Sequence, residues 1–242
     1  HRLFDVTVWP LVDVILFGSL GVFVARAGGA PGKTAFGYLL AGILLWHVVY
    51  QSQIAVSTGF LEETWSRNLL NLLVTPMREV EYVAGVALFG MVKLAIGLSV
   101  VGLGAGLAFA FNVTNLGWGL LPIAAILLLT GWVIAMFVIG LVLRFGPGAE
   151  ALAWGILFAV LPLSGVFYPV NALPLVLRPI SQALPTTHAF AAARGLVDGS
   201  SLDWGQMAIA TGTALVGLAA AIAFTTHMLG VFRRRGFVTR YS

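Results

Sequence analysis

The chain lacks cysteine entirely and contains little charge. Its 242 residues include 13 basic and 9 acidic side chains and no cysteine. The absence of cysteine excludes disulfide bonds, thiol catalysis and thiolate metal sites. Charged residues make up 9% of the chain and hydrophobic residues 60%, whereas a soluble domain carries about 25% charged residues. This composition predicts an integral membrane protein with a single membrane domain over residues 1–242.

The positive charge does not indicate a nucleic-acid-binding protein. The net charge is +4, but the basic residues are scattered between apolar stretches, except for Arg233, Arg234 and Arg235. The four histidines lack the paired spacing of metal ligands, so no metal site is expected. No cleavable signal peptide is recognisable. Because the chain begins with His1 rather than methionine, we expect that a preceding segment is missing.

Six apolar stretches are long enough to cross a membrane as helices. A transmembrane helix needs about 20 mainly apolar residues. The predicted spans cover residues 6–25, 35–59, 82–111, 117–142, 150–169 and 205–230. The sequence therefore predicts an all-α membrane protein with six transmembrane helices.

The distribution of basic residues predicts that both termini are cytoplasmic, because loops rich in lysine and arginine stay inside. This orientation leaves eight basic residues at the inner ends of the spans: Arg2, Arg67, Arg78, Arg144, Arg233, Arg234, Arg235 and Arg240. It leaves four outside: Arg26, Lys33, Arg178 and Arg194. Trp118 and Trp204 then begin spans at the outer interface, where tryptophan is enriched.

An amphipathic segment within residues 60–81 joins the second and third spans. Its apolar residues recur at helical spacing, and they are Trp65, Leu69, Leu72 and Leu73. Glu62 and Glu63 suit a helix N-terminus, and Pro76 ends the helix. The pattern predicts a short helix along the cytoplasmic membrane surface. It serves either as an interfacial anchor or as a docking surface for a partner.

Polar side chains concentrate in the cytoplasmic half of the second span, in the sequence "HVVYQSQIAVST". A helix facing lipid does not tolerate several amides, so part of this face must line a cavity or a helix interface. Lys93 lies near the middle of the third span and Asp13 lies in the first, so an Asp13–Lys93 pair is possible. The residues predicted to line a translocation pathway are His47, Tyr50, Gln51, Gln53 and Lys93.

Five of the ten prolines fall between Pro162 and Pro185. They favour short, broken helices, whose backbone at membrane depth must be shielded by protein or water. We predict an outer cap over residues 171–198, with helices near 173–184 and 187–197.

Two other motifs are weak indications of a different function, namely nucleotide binding or proteolysis. "AGGAPGKT", residues 27–34, matches a relaxed phosphate-loop pattern, but it lies between two membrane spans instead of following a strand. Ser164 and His227 lie in different spans, as an intramembrane serine protease would require, but the glycine that precedes such a serine is absent. "NVT" at Asn112 is interpreted as a turn.

Two stretches resemble permeases of the type-2 family of ATP-binding cassette (ABC) transporters. "LLVTPMREVEYVAG" (72–85) resembles the loop after their second span, and "SGVFYPVNALPLVLRPISQALPTTHAFAAARGLVDG" (164–199) resembles the exit of their fifth span and their outer loop. Many members carry Gly-Thr where this chain has Arg67-Asn68, so the resemblance does not separate drug exporters from polysaccharide exporters. Family members also begin with an amphipathic cytoplasmic helix, of which only "HRLFD" could remain.

The resemblance implies a permease subunit that exports an amphiphilic drug, lipid or lipid-linked glycan and performs no bond chemistry itself. It would pair with a second copy or a similar permease, and with separate ATPase subunits that bind ATP and Mg²⁺; no cofactor is expected in this chain. Segment 62–75 would be the coupling helix that contacts the ATPase through Glu62, Glu63, Thr64, Arg67, Asn68 and Asn71. The expected location is a bacterial plasma membrane. An ATP-independent channel or carrier is the main alternative.

Overall fold

The computed structural model describes residues 2–65, 79–146, 148 and 150–234. They form seven α-helices: α1 (Arg2–Trp65), α2 (Glu79–Phe109), α3 (Leu120–Phe145), α4 (Glu150–Leu163), α5 (Arg178–Gln182), α6 (Pro185–Val197) and α7 (Trp204–Arg234). Short 3₁₀ turns occupy Val113–Leu116 and Val170–Ala172. These residues contain no strand, which confirms the all-helical prediction.

Helix α1 is a hairpin of two membrane spans. Asp13 Oδ2 lies 3.5 Å from His47 Nε2, whereas in a straight helix these residues would be about 50 Å apart along the axis. A Cβ atom on Gly21 would lie 2.7 Å from the Phe36 ring, which shows the same close approach nearer the bend. The bend lies at the glycine-rich sequence that ends with Gly32, because a Cβ atom on Gly32 would lie 2.5 Å from the Val24 carbonyl oxygen.

In the part of the chain that the structure describes, five helical segments are long and apolar enough to cross a membrane, which makes this a multi-pass membrane protein. They are Thr7–Gly28, Thr34–Leu61, Gly90–Phe109, Leu120–Phe145 and Trp204–Val231. They correspond to the first, second, third, fourth and sixth predicted spans. The predicted fifth span is not confirmed, because α4 has 14 residues and extends only about 21 Å. Pro162 interrupts this helix near its end, and the chain turns at Gly165, whose φ is +61°.

The second span is the central helix of the bundle. In its most apolar stretch 83% of the residues are buried, against 22% in the first span and 22% in α7. Its side chains Leu40, Val48 and Val49 are almost fully buried, and α1 packs on α2 and α3. Polar residues on this span therefore lie at the centre of the helix bundle, while exposed apolar residues on the outer spans suit lipid.

The segment between α4 and α7 contains the two short helices expected from the prolines. Helix α6, Pro185–Val197, closely matches the predicted helix near 187–197. The other is shorter than predicted and covers only Arg178–Gln182. Both helices have proline in their first positions, where the missing N–H costs nothing. Pro179 has no N–H to donate to the Leu175 carbonyl, so the first helix begins at Arg178 and not near residue 173 as predicted.

Candidate functional site

The polar face of the second span packs against glycines on two neighbouring helices. Gln51 Nε2 lies 3.5 Å from the position that a Cβ atom would take on Gly97 of α2. A Cβ atom on Gly131 of α3 would lie 1.8 Å from Ser52 Oγ, so only glycine fits there. Both polar side chains are buried. They therefore lie at helix interfaces within this chain, and their predicted part in translocation stays a prediction.

Gln53 is fully buried and only partly hydrogen-bonded. Its Nε2 donates to Ser57 Oγ at 3.2 Å, but its Oε1 has no hydrogen-bond partner among the described residues. A buried acceptor left without a donor costs about 1–3 kcal/mol. On α2, Gly90 faces Ala55 and Gly97 faces Gln51, so the antiparallel register puts the backbone of Lys93 near the depth of Gln53. The Lys93 side chain lies outside the described part of the structure.

Asp13 has a neighbour that the sequence did not reveal. His47 Nε2 lies 3.5 Å from Asp13 Oδ2, and the histidine side chain is 3% exposed while the aspartate side chain is 41% exposed. His47 Nδ1 lies 2.9 Å from the Ile43 carbonyl oxygen. A carbonyl oxygen only accepts, so Nδ1 carries the proton, and in a neutral ring Nε2 has none to donate to Asp13. The hairpin in α1 creates this contact; the Asp13–Lys93 pair that the sequence left open involves a side chain outside the described residues.

Aromatic rings lie next to both members of the Asp13–His47 contact along their helices. Phe17, one turn beyond Asp13, stacks on Phe167 with ring centroids 4.3 Å apart. On the other side the His47 ring lies 6.0 Å from Tyr50, and Tyr50 lies 5.9 Å from Trp154 of α4. We call these residues, namely Asp13, Phe17, His47, Tyr50, Trp154 and Phe167, the Asp13 site. Two of its members, His47 and Tyr50, were predicted as pathway residues.

The residues predicted to contact an ATPase lie at the edge of the described structure. Glu62, Glu63 and Thr64 belong to the last turn of α1, which continues the second span up to Trp65. The side chains of these three residues, and the whole of Arg67, Asn68 and Asn71, lie outside the described residues. The predicted separate helix over 62–75 therefore stays a prediction.

Buried hydroxyl groups fasten the break after α4 to the short helices. Ser181 Oγ donates to the Leu163 carbonyl at 2.6 Å, and Ser164 Oγ lies 2.7 Å from Thr186 Oγ1. These three hydroxyl residues are almost fully buried. Where a helix breaks at membrane depth, the freed backbone groups need partners from protein, and here the hydroxyl groups supply them.

The outer part of this segment is attached to the second span. Arg194 of α6 donates to the Gly165 carbonyl at the turn where a Cβ atom on Gly165 would lie 2.9 Å from the Tyr168 carbonyl oxygen. Tyr38 of the second span bonds to Asp198, which directly follows α6. The predicted cap region is therefore joined to the central helix by side chains that the sequence analysis did not single out.

The structure does not support the phosphate-loop or the serine-protease alternative. Residues 27–34 lie in the bend of α1, after a helix and not after a strand, which is not the context of a phosphate loop. Ser164 Oγ bonds to the Val160 carbonyl at 2.7 Å as well as to Thr186. His227 lies on the exposed side of α7. The structure thus gives Ser164 a role in holding the helix break.

Comparison with known proteins identifies the family. A search of curated proteins gave no significant match. The sequence profile of the ABC-2 type transporter family matches residues 2–197, which covers most of the chain, including the central second span and the segment after α4. This confirms the resemblance seen in the two loops, and the chain belongs to the ABC-2 type transporter family.

Proposed function

We propose that this chain, as the permease component of an ABC transporter, exports an amphiphilic substrate from the cytoplasm or the inner leaflet. The family match over residues 2–197 carries this proposal. Five apolar helices provide the membrane domain. A separate ATPase subunit binds ATP and Mg²⁺ and supplies the energy of hydrolysis. A second copy or a similar permease completes the pathway. The complex lies in a bacterial plasma membrane, with both termini of this chain in the cytoplasm.

The second span supports a direct mechanical route between ATPase and pathway. It continues without a break from Thr34 to Trp65, a length of about 47 Å. The same helix therefore carries the pathway candidates His47, Tyr50, Gln51 and Gln53 and the coupling candidates Glu62, Glu63 and Thr64. A push on its cytoplasmic end would move the polar residues as part of one rigid element.

The permease's own residues bind and guide the substrate and do no bond chemistry. Amides and hydroxyl groups at helix interfaces become available to a substrate when helices separate, because water or a polar headgroup then replaces their present neighbours. The cap region over residues 171–198 would close the outer end while the inner side is open. Tyr38 attaches the cap region to the second span. A movement of this span would therefore act on the cap and on the cytoplasmic end together.

Reconstitution with the partner ATPase tests this proposal. The intact chain and the ATPase subunit would be placed in proteoliposomes with fluorescent lipid, lipid-linked glycan and amphiphilic drug substrates. We expect at least one class to move only with hydrolysable ATP and Mg²⁺. Equal flux with a non-hydrolysable analogue would contradict the proposal and favour the channel or carrier alternative. Failure of any ATPase chain to co-purify with the permease would count against it as well.

A further inference from the structure

We infer that the Asp13 site binds the positively charged group of an organic cation, so that the exported amphiphile is cationic. This inference rests on the proposed function and specifies its substrate. Of the nine acidic residues in the sequence, only Asp13 falls within the five spans found in the described part of the chain. A carboxylate in that position is costly unless a partner or a wet cavity receives it.

No arginine or lysine side chain among the described residues forms an ion pair with Asp13. Among the described side chains, His47 is its only ionisable neighbour, at 3.5 Å. Because Nδ1 is engaged with Ile43, a neutral imidazole ring has no proton left to donate to the carboxylate. The Asp13 side chain is 41% exposed, while His47 behind it is 3% exposed. An exposed carboxylate backed by a closed interior is suited to a ligand that arrives from the open side.

The depth of Asp13 fits a ligand from the inner leaflet. It lies six residues after Thr7, where the span begins, which is about 9 Å along the helix. On the proposed orientation this is the cytoplasmic side. The stacked rings of Phe17 and Phe167 lie one turn further towards the outside. This places an aromatic pair on the outer side of the carboxylate, while the shorter distance from Asp13 to the end of the span is on the inner side.

The nearby aromatic rings match the other parts of such a ligand. Rings attract a cation through their negative faces and also accept apolar groups. The stacked rings of Phe17 and Phe167 lie one turn from Asp13, and Tyr50 and Trp154 continue a chain of rings from His47. A delocalised cation with an apolar body satisfies the charge and the rings together. A neutral or anionic amphiphile would leave the carboxylate unpaired.

Tetraphenylphosphonium and tetraphenylborate form a matched pair of probes, because they have similar size and shape and opposite charge. Specific binding of each would be measured on the intact chain in neutral-lipid nanodiscs, with protein-free nanodiscs subtracted. We expect the wild type to bind the cation, and Asp13→Asn to weaken this binding about tenfold or more, since it removes the charge partner. Tetraphenylborate binding should not change. Asp13→Glu should restore much of the cation affinity.

Two further variants distinguish cation binding by Asp13 from a purely structural Asp13–His47 pair. His47→Asn retains a donor for the Ile43 carbonyl and removes the group beside Asp13, so cation affinity should stay equal or rise. Phe17→Ala should weaken cation binding a few-fold. Asp203→Asn is the control, because Asp203 lies outside the spans and its Oδ1 accepts from the Gln206 N–H, a role that asparagine also fills. It should leave binding unchanged.

Cation binding tests the Asp13 site and ATP-driven transport tests the proposed function, and either one can fail without the other. No specific cation binding by the wild type, or equal binding by Asp13→Asn in a folded protein, would overturn the inference even if ATP-driven export of another amphiphile is seen. Loss of thermal stability in both Asp13→Asn and His47→Asn, with cation affinity unchanged, would show a structural pair instead. Asp13-dependent cation binding without any ATP-driven transport would support the site and contradict the exporter.

Discussion

The Tyr38 hydroxyl lies 2.8 Å from one carboxylate oxygen of Asp198 and 2.7 Å from the other. The two residues are 160 positions apart, and their contact joins the outer end of the second span to the residue that follows α6. Since the same span continues to Trp65, the contact connects the predicted cap to the predicted ATPase side through one helix.

Removing this hydroxyl should loosen the cap region. We expect Tyr38→Phe to reduce stability by about 1 kcal/mol, because an exposed hydrogen bond to a carboxylate is lost. Spin labels on cysteines at the exposed positions Thr34 and Ser200 would measure the distance across the contact. The distribution should broaden in Tyr38→Phe. Tyr168→Phe, which loses a bond to the Pro162 carbonyl within the same loop, should keep a narrow distribution; equal broadening would contradict a specific link.

Gly131 should be intolerant of any side chain. A Cβ atom there would lie 1.8 Å from Ser52 Oγ and 2.7 Å from the Val49 carbonyl oxygen. Gly131→Ala should lower stability by about 1–3 kcal/mol, since α3 must move away from the second span. The measurement is thermal unfolding in detergent. Gly155→Ala is the matched control, because no atom lies within 4 Å of its Cβ position. Combining Gly131→Ala with Ser52→Ala should recover part of the loss.

Gln53 should matter to transport more than to stability. Gln53→Leu removes the acceptor that has no partner among the described residues, so the free energy of unfolding should stay equal or rise by about 1 kcal/mol. If helix separation exposes this position to substrate, substrate-stimulated ATPase activity should fall. Ser19→Leu, on the exposed side of the first span, is the control. Unchanged stimulation across active substrates would leave Gln53 a packing residue only.

Reversing the acidic charges at the end of α1 tests the coupling prediction. Glu62→Lys with Glu63→Lys should weaken the complex with the ATPase or uncouple hydrolysis from transport, because like charges at an interface cost several kcal/mol. Fluorescence-detected chromatography would show that the permease remains folded. A simple interfacial anchor would instead tolerate the change or bind anionic lipid more tightly. An intact, coupled complex carrying both lysines would refute acidic contacts with the ATPase.

The absence of cysteine makes topology directly measurable. Single cysteines at Gly28 and Ser200 should react with a membrane-impermeant maleimide from outside intact cells. Cysteines at Ser66 and Ser242 should react only after permeabilisation. The expectation follows from the bias of basic residues towards the proposed cytoplasmic loops. External labelling at Ser66 would overturn both the orientation and the ATPase-docking role of the segment that follows α1.

The sequence by itself determined where most membrane helices lie. Five spans follow from local composition, because each needs only about 20 apolar residues in a row to satisfy the bilayer. The short helix α6 also follows locally, since Pro185 suits a first helical position. Hydrophobicity alone predicted a span over residues 150–169 that the structure does not confirm, because the apolar run continues past Pro162 while the helix stops at Leu163.

Only the tertiary structure decided which side chains meet. Asp13 contacts His47 because α1 folds back on itself, and the hydrophobic pattern of each span contains no information about its rotation against the other. Tyr38 meets Asp198, and Ser181 meets the Leu163 carbonyl, through the packing of the segment after α4 on the second span. Local periodicity indicates which residues a helix can present, but the match of shapes between helices selects the partners, and the partners define the site.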